Sequence, residues 1–285
     1  MLIRKIKSFA KLNVFLNIIS RRNDGYHNII SVFLPISLHD EIEIYSSLCF
    51  NIEFENANIK IEESTVFKAI KFFYEKLAKP IPKLFVRINK KIPIGGGLGG
   101  GSSNAAYVLK FLNEYNNYPF STKELIDIAV KIGMDVPFFI YSQPAIVMGR
   151  GEKIFPFSLD YKLYGVLFSP SFSINTKEAY SLFKNYSFMQ KVENLNMLKK
   201  MLKEKNFEKE IIGYNDFENV IFPKYKELEN IKQKLAKFCP NILGMSGSGS
   251  CMYALFVDEV QAHQCFENIN VNAKKYFIET IGDKM

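Results

Sequence analysis

The sequence predicts an α+β fold in two domains, residues 1–157 and 158–285. Three observations carry this. The first part is rich in strand signals and holds a glycine-rich loop. The second holds longer helical stretches around a short antiparallel sheet. Strand and helix signals alternate along the chain without a repeated βαβ unit, which favours segregated elements over a doubly wound sheet.

The elements follow in order. From Ala10 to Ile18 the pattern alternates, with Ala10, Leu12, Val14, Leu16 and Ile18 on one face and Lys11, Asn13, Phe15 and Asn17 on the other, as in a strand. Asp24-Gly25 in "RRNDGYHNI" is a hairpin signal. "ISVFLPISL" and "DEIEIYSSLCFNIEF" read as further strands. "STVFKAIKFFYEKLA" reads as a helix with Ser64 or Thr65 as its cap. "PKLFVRINKKIPI" reads as a strand entering the glycine loop, and "SSNAAYVLKFLNEY" as a helix leaving it, with Ala105, Leu109 and Leu112 on one face. "TKELIDIAVKIG" is another helix, and "YKLYGVLFSP" another strand. Helical stretches fill roughly Thr176 to Phe238. After them come the glycine-containing "NILGMSGSGSCMYALFV" and a terminal helix and strand.

Composition sets bounds. Hydrophobic residues make up 48% of 285 residues, enough for a large core, and charged residues 23%. The net charge is +8, which suits phosphorylated small molecules as well as nucleic acid. The lysines are scattered without interleaved aromatics, which argues against nucleic acid. The four cysteines, Cys49, Cys239, Cys251 and Cys265, form no C-x-x-C pair, and there are three histidines. Zinc is not expected; buried reduced thiols in a cytoplasmic protein are. The amino-terminal apolar run is interrupted by Lys11, Asn13 and Asn17 and reads as neither signal peptide nor membrane span.

Six of the seven residues from Gly95 to Gly101 are glycine. Glycine is costly to order, so its density at the mouth of a helix asks for a reason. A helix amino terminus carries unpaired N–H groups and a partial positive charge, and glycine lets the backbone wrap an anion without a Cβ in the way. The nucleotide-triphosphatase form of such a loop needs lysine after Gly101, where Ser102 stands. The dinucleotide form needs a carboxylate at the end of the next strand, and the "YPFST" region offers none. What remains is a third kind of phosphate loop. Ser102 and Ser103 could cap its helix, bind phosphate or hold Mg²⁺.

Two side chains suit phosphoryl transfer, which needs alignment, charge neutralisation and management of a hydroxyl proton. Asp135 is a carboxylate inside the apolar "GMDVPFFI", costly there unless paired. Lys11 lies on a strand whose opposite face is apolar, with Asn13 about 7 Å along on its own side.

"PIGGGLGGGSSNAA" resembles the ATP loop of the GHMP kinases, and "AKLNVFL", "RRNDGYHNI", "GMDVPFF" and "GMSGSGSC" agree in order from Ala10 to Cys251. "AKLN" with "DGYH" is similar to the branch that phosphorylates the 2-hydroxyl of 4-diphosphocytidyl-2-C-methyl-D-erythritol, a non-mevalonate isoprenoid precursor. The resemblance implies a ribosomal-protein-like amino-terminal domain, a ferredoxin-like carboxy-terminal domain and a cleft between them. It implies ATP and Mg²⁺ as cofactors, no nucleic acid or membrane partner, and a monomer or weak homodimer. It implies Lys11 and Asp135 as the catalytic pair. ATP would be held by Pro93, Ile94, Gly95, Gly96, Gly97, Leu98, Gly99, Gly100, Gly101, Ser102 and Ser103. On the substrate side, Tyr26 would stack on cytosine, His27 read its edge, Thr176 and Tyr180 close the other side, and Asn13 touch the methylerythritol. No acidic Mg²⁺ ligand is identified. One departure is Ser64, where many relatives carry asparagine near the adenine. Two alternatives remain: another GHMP kinase acting on homoserine, mevalonate or a sugar, and a non-catalytic nucleotide- or RNA-binding protein.

Overall fold

The structure, a computed structural model, describes residues 1–183, 195, 198, 200, 202–205 and 211–282. The helical expectation over 176–238 falls partly outside the described residues. By contact the chain divides into two compact units that interleave in sequence. The first comprises Met1–Ala10, Leu38–Pro93 and Gly99–Ser142, and the second Lys11–Ser37, Ile94–Leu98 and Gln143–Met285. Two 20-residue strands, β1 (Leu2–Arg21) and β2 (His27–Ser46), contribute residues to both.

In the first unit the end of β2 pairs antiparallel with β4 (Leu84–Asn89), and β3 (Asn51–Glu55) pairs parallel with the other edge of β4. One strand cannot occupy both edges. The expected continuous strand through "DEIEIYSSLCFNIEF" therefore breaks at residues 47–50, where the chain crosses the end of β4 and leaves Leu48 and Cys49 exposed. β4 also stops short of its expected length. After Asn89, the amides of Lys91 and Ile92 donate to the Asp40 carboxylate at 2.7 and 2.9 Å in place of a ladder partner.

Helix α1 (Thr65–Leu77) starts where expected, its Ser64 Oγ accepting from Phe67 N at 3.0 Å. It buries Val66, Ala69, Ile70, Phe73 and Tyr74, the stripe that a 3.6-residue period puts on one face. α2 (Gly100–Tyr115) packs on it and buries Ala105, Val108, Leu109 and Leu112. α3 (Thr122–Ile132) opens with a reciprocal Ser121/Glu124 capping box. The short α4 (Val136–Tyr141) is buried over Val136 to Ile140.

In the second unit, β5 (Ala145–Gly149) joins the early part of β2 and pairs with β6 (Lys153–Pro156), while β9 (Tyr214–Asn215) runs parallel to β1 at Phe15 and Leu16. A five-stranded sheet has the order β12-β7-β11-β10-β8, from Lys274–Glu279, Tyr164–Ser169, Met252–Phe256, Ile242–Met245 and Ile211–Ile212. Its pairs are antiparallel except β10 with β8. All of β11 is buried, as a strand covered on both faces must be. Val166, Phe168, Ala254 and Phe256 share a core with Leu228, Ile231 and Leu235 of α7 (Lys226–Ala236) and with Ala262 and Cys265 of α8 (Glu259–Asn268). The unit also contains α5 (Thr176–Ser181) and α6 (Glu218–Ile221). Cys251 and Cys265 are buried, and burial pushes each thiol up to about 12. Cys49 and Cys239 are exposed, against the expectation of buried thiols. No described helix is long and apolar enough to cross a membrane.

Candidate active site

The expected site residues fall in both units. Gly99 to Ser103 and Asp135 belong to the first; Lys11, Asn13, Tyr26, His27, Ile94 to Leu98, Thr176 and Tyr180 belong to the second.

In the first unit the glycine loop becomes helix earlier than its serines suggest. Gly99, at φ +70°, takes the cap position without a side-chain cap, and α2 begins at Gly100. The serines therefore sit inside the first turn. Ser103 is fully buried; its Oγ donates to Phe9 O at 2.6 Å and lies 2.7 Å from Ser8 Oγ. Its amide already closes the helix onto Gly99 O at 2.8 Å. Ser103 thus ties α2 to β1, while Ser102 is half-buried. A side chain at Gly100 would put its Cβ 3.0 Å from Ile92 Cγ2 and 3.2 Å from Lys90 Nζ. That lysine forms a buried ion pair with Asp40. The Asp40 carboxylate offsets the Lys90 charge, so the positive potential at this bare helix start comes from its free N–H groups and the helix dipole. Asp135 is half-buried and precedes α4 without capping it, followed by five buried residues. Ser64 is occupied as the α1 cap and donates to Ile61 O at 2.7 Å.

In the second unit Lys11 is 2% exposed, so it is no solvated strand lysine. Its Nζ donates to Asn13 Oδ1 and, at 2.8 Å, to Gly97 O, and stands 4.7 Å from the centre of the Phe33 ring. Its amide donates to Leu98 O at 3.1 Å. The second glycine turn, Gly244 to Cys251, closes on the same place. Ser246 Oγ donates to Gly97 O at 2.9 Å and accepts from Asn13 N at 3.3 Å. Cys251 N donates to Gly96 O at 3.3 Å. Gly97 has φ +76°, and a Cβ there would lie 1.9 Å from Ser246 O. The turn therefore packs beside residues 96 and 97 of the loop, and Thr176 Oγ1 lies 2.9 Å from its Ser248 Oγ.

Around the hairpin, Tyr26 is 48% exposed, with the Arg150 guanidinium 5.3 Å from its ring centre. This is an open aromatic face backed by a cation. The ring of His27 stacks on Tyr180 at 4.5 Å and 14°, and Tyr180 meets Phe217 edge-on at 4.8 Å. With the two rings in contact, no base fits between them.

Burial first, and then the Arg21 charge, holds the His27 imidazole below its ordinary 6.5. The folded chain takes up this proton at lower pH than the unfolded chain does. Stability is therefore full above the ordinary value and falls as pH drops below it. Thermal midpoints measured from pH 7.5 to 5.5 should decline, and His27→Gln should flatten part of that decline. An unchanged slope in the variant would contradict the assignment.

Sequence reasoning missed residues that hold these segments. In the first unit Asp40 gave no local signal; in the second, Ser246 lies in the quoted "GMSGSGSC" but nothing there marked it as the contact to Gly97. "YNDFE", three polar residues in an aromatic run, did give a local signal. Asp216 Oδ2 accepts from Ile18 N and Asn17 Nδ2, both at 2.7 Å, and Asn215 donates to the second turn. Among the described residues no group of three or more His, Cys, Asp or Glu could hold a metal ion. The hydroxyls expected as Mg²⁺ candidates differ in that Ser103 is buried and bonded to Phe9 O while Ser102 is half-buried.

The GHMP kinases N terminal domain family matches residues 64–143. A Pseudothermotoga lettingae protein, 4-diphosphocytidyl-2-C-methyl-D-erythritol kinase, is 37% identical over 264 residues, covering 89% of this chain and 92% of that protein. A protein of the same name from Francisella tularensis subsp. novicida is 36% identical over 287 residues, covering 98% of this chain and 97% of the relative. A crystal structure of 4-(cytidine 5'-diphospho)-2C-methyl-D-erythritol kinase superposes with TM-score 0.82 at 26% identity, covering 98% of this chain and all 100% of that one. Homoserine kinase from Cytophaga hutchinsonii, at 16% identity and TM-score 0.75 over 98% of this chain and 95% of its own, shares the fold. The loop, the buried lysine and these full-length likenesses agree: the chain belongs to the 4-diphosphocytidyl-2-C-methyl-D-erythritol kinase family of GHMP kinases.

Proposed function

We propose that this chain transfers the terminal phosphoryl group of ATP to the 2-hydroxyl of 4-diphosphocytidyl-2-C-methyl-D-erythritol. The observation that carries the reading is the likeness of 98% of the chain to relatives named as kinases of that compound. The local geometry supports the chemistry. The ATP phosphates lie along Pro93 to Ser102, against backbone N–H groups and the dipole of α2. A bond forms between the substrate 2-oxygen and the γ-phosphorus, the bond from that phosphorus to the β–γ bridging oxygen breaks, and ADP leaves with the electron pair. The hydroxyl proton passes to Asp135. Lys11, fixed by Asn13 and the Gly97 carbonyl, supplies positive charge to the developing oxyanion. Mg²⁺, when bound with ATP, neutralises phosphate charge.

Tyr26 stacks on the cytosine with Arg150 behind it. His27, neutral above its lowered pKa, presents one donor and one acceptor to the base edge. Tyr180 contributes by holding the plane of that imidazole, and Thr176 by its link to Ser248. Asn13 faces the methylerythritol. ATP and a charged, diphosphate-bearing substrate place the reaction in the cytoplasm.

The test is ADP release from ATP and Mg²⁺ across five acceptors: the cytidine-bearing compound, the same polyol without cytidine, mevalonate, homoserine and galactose. Turnover confined to the first is expected. Turnover with another acceptor would overturn the cytosine assignment, and ATP binding without any turnover would overturn the kinase reading.

A further inference from the structure

We propose that Asn215 is a positioning residue for Lys11, acting through the turn Gly244–Cys251; the inference rests on the proposed phosphoryl transfer for its catalytic consequence. Asn215 is 5% exposed and sits in β9, opposite Leu16 of β1. Its Oδ1 accepts from Phe217 N at 3.0 Å. That bond orients the amide, so its nitrogen faces two carbonyls, Met245 O at 2.7 Å and Gly247 O at 2.8 Å. Only a donor suits that place.

The two carbonyls flank Ser246. Met245 O belongs to the peptide that enters Ser246 and Gly247 O to the peptide that leaves Gly247, so Asn215 clamps the backbone before and after Ser246 and limits where its side chain points. Ser246 Oγ reaches Gly97 O and receives Asn13 N. Gly97 O and Asn13 Oδ1 both accept from the Lys11 ammonium. These two acceptors of Lys11 belong to residues tied to Ser246, and Asn215 sets Ser246. A second tether confirms the direction of the design. Glu218 Oε1 accepts from Met245 N at 2.8 Å, while its other oxygen pairs with Lys232. The segment from Asn215 to Glu218 thus holds the turn from both sides of its entry strand, and its Asp216 holds β1 itself.

A purely structural role would satisfy the same buried carbonyls, so the test separates the two. Asn215→Asp keeps the volume and the bond from Phe217 N but sets an acceptor against two carbonyl oxygens. It should lower kcat about 10- to 100-fold, the scale of a misplaced catalytic group. KM for ATP and for the alcohol should stay within about threefold, measured per active site well below the thermal midpoint. In a Lys11→Met background the same change should cost under about twofold, since its target is gone. A kcat near wild type, or an equal loss in both backgrounds, would overturn the inference. If Asn215→Asp does not fold, Ser246→Ala breaks the middle link and must show the same non-additivity with Lys11→Met; additive losses would overturn it. A readout without turnover keeps the inference separate from the functional reading. In protein labelled with ¹³C-lysine, the Lys11 Cε resonance, assigned by its absence in Lys11→Met, should move in Asn215→Asp. Movement in a chain that phosphorylates nothing would sink the function and keep the positioning role; an unmoved resonance would sink the positioning role.

Discussion

Asp135→Asn lowers kcat at least about 100-fold, the scale for losing an acid–base group. The substitution is isosteric. Asp135 makes no side-chain cap to α4, and the burial of Val136 to Ile140 anchors the segment that follows it, so a folded variant is expected and the thermal melt checks it. An amide cannot take up the proton that the substrate hydroxyl must lose. KM for ATP should change little, because the phosphate contacts proposed above are backbone N–H groups of another segment. Steady-state kinetics with a thermal melt of the variant check this. A near-normal rate in a folded Asp135→Asn protein would remove Asp135 from the mechanism.

Gly97→Ala is the second large effect. The residue has φ +76°, which an alanine adopts at a cost of about 1–2 kcal/mol. The graver problem is space. The new Cβ would stand 1.9 Å from Ser246 O and 2.8 Å from Ser246 C, backbone atoms that no rotamer change can move away. Either the loop or the second turn must shift by more than 1 Å, roughly the distance beyond contact that the clash demands. A shift of the turn breaks the Ser246 hydrogen bond to Gly97 O, and a shift of the loop breaks the Lys11 bond as well. Activity should fall at least about 100-fold, and urea unfolding should show a stability loss of about 2–5 kcal/mol from strain and overpacking together. Gly25→Ala is the comparison. That glycine has φ +83° and nothing within 4 Å of its would-be Cβ, so its stability loss is confined to the strain. Equal losses in the two variants would mean that the contact between loop and turn is not tight.

What could be read in advance was what local chemistry encodes. The α1 cap at Ser64 and the alternation of β1 needed only neighbours in sequence. The face that carries Lys11 and Asn13 was legible, but its burial was not. Gly97 O, which accepts from the Lys11 ammonium, comes from 86 residues away. The serines after the loop read as caps because serine is the usual cap. Here glycine takes that position, and Ser103 becomes a buried tie to Phe9. The stop of β4 was hidden because Asp40, which ends it, lies 50 residues earlier. Tyr180 reads from the sequence as closing the base from the side opposite Tyr26, and no sequence pattern shows that one of its faces meets His27. The interleaving of the two units was equally hidden, since nothing along a 20-residue strand marks where its contacts change partner.

The most direct test of the central claim is to find where the phosphate goes. ATP, Mg²⁺ and 4-diphosphocytidyl-2-C-methyl-D-erythritol are incubated with the enzyme, and the product is examined by ³¹P NMR while ADP is counted. One new phosphomonoester on the tertiary 2-oxygen, showing no proton coupling across its ester bond, with one ADP per product, is the predicted result. A phosphate on a primary or secondary hydroxyl, split by its neighbouring proton, or ADP formed without a phosphorylated product, would contradict it.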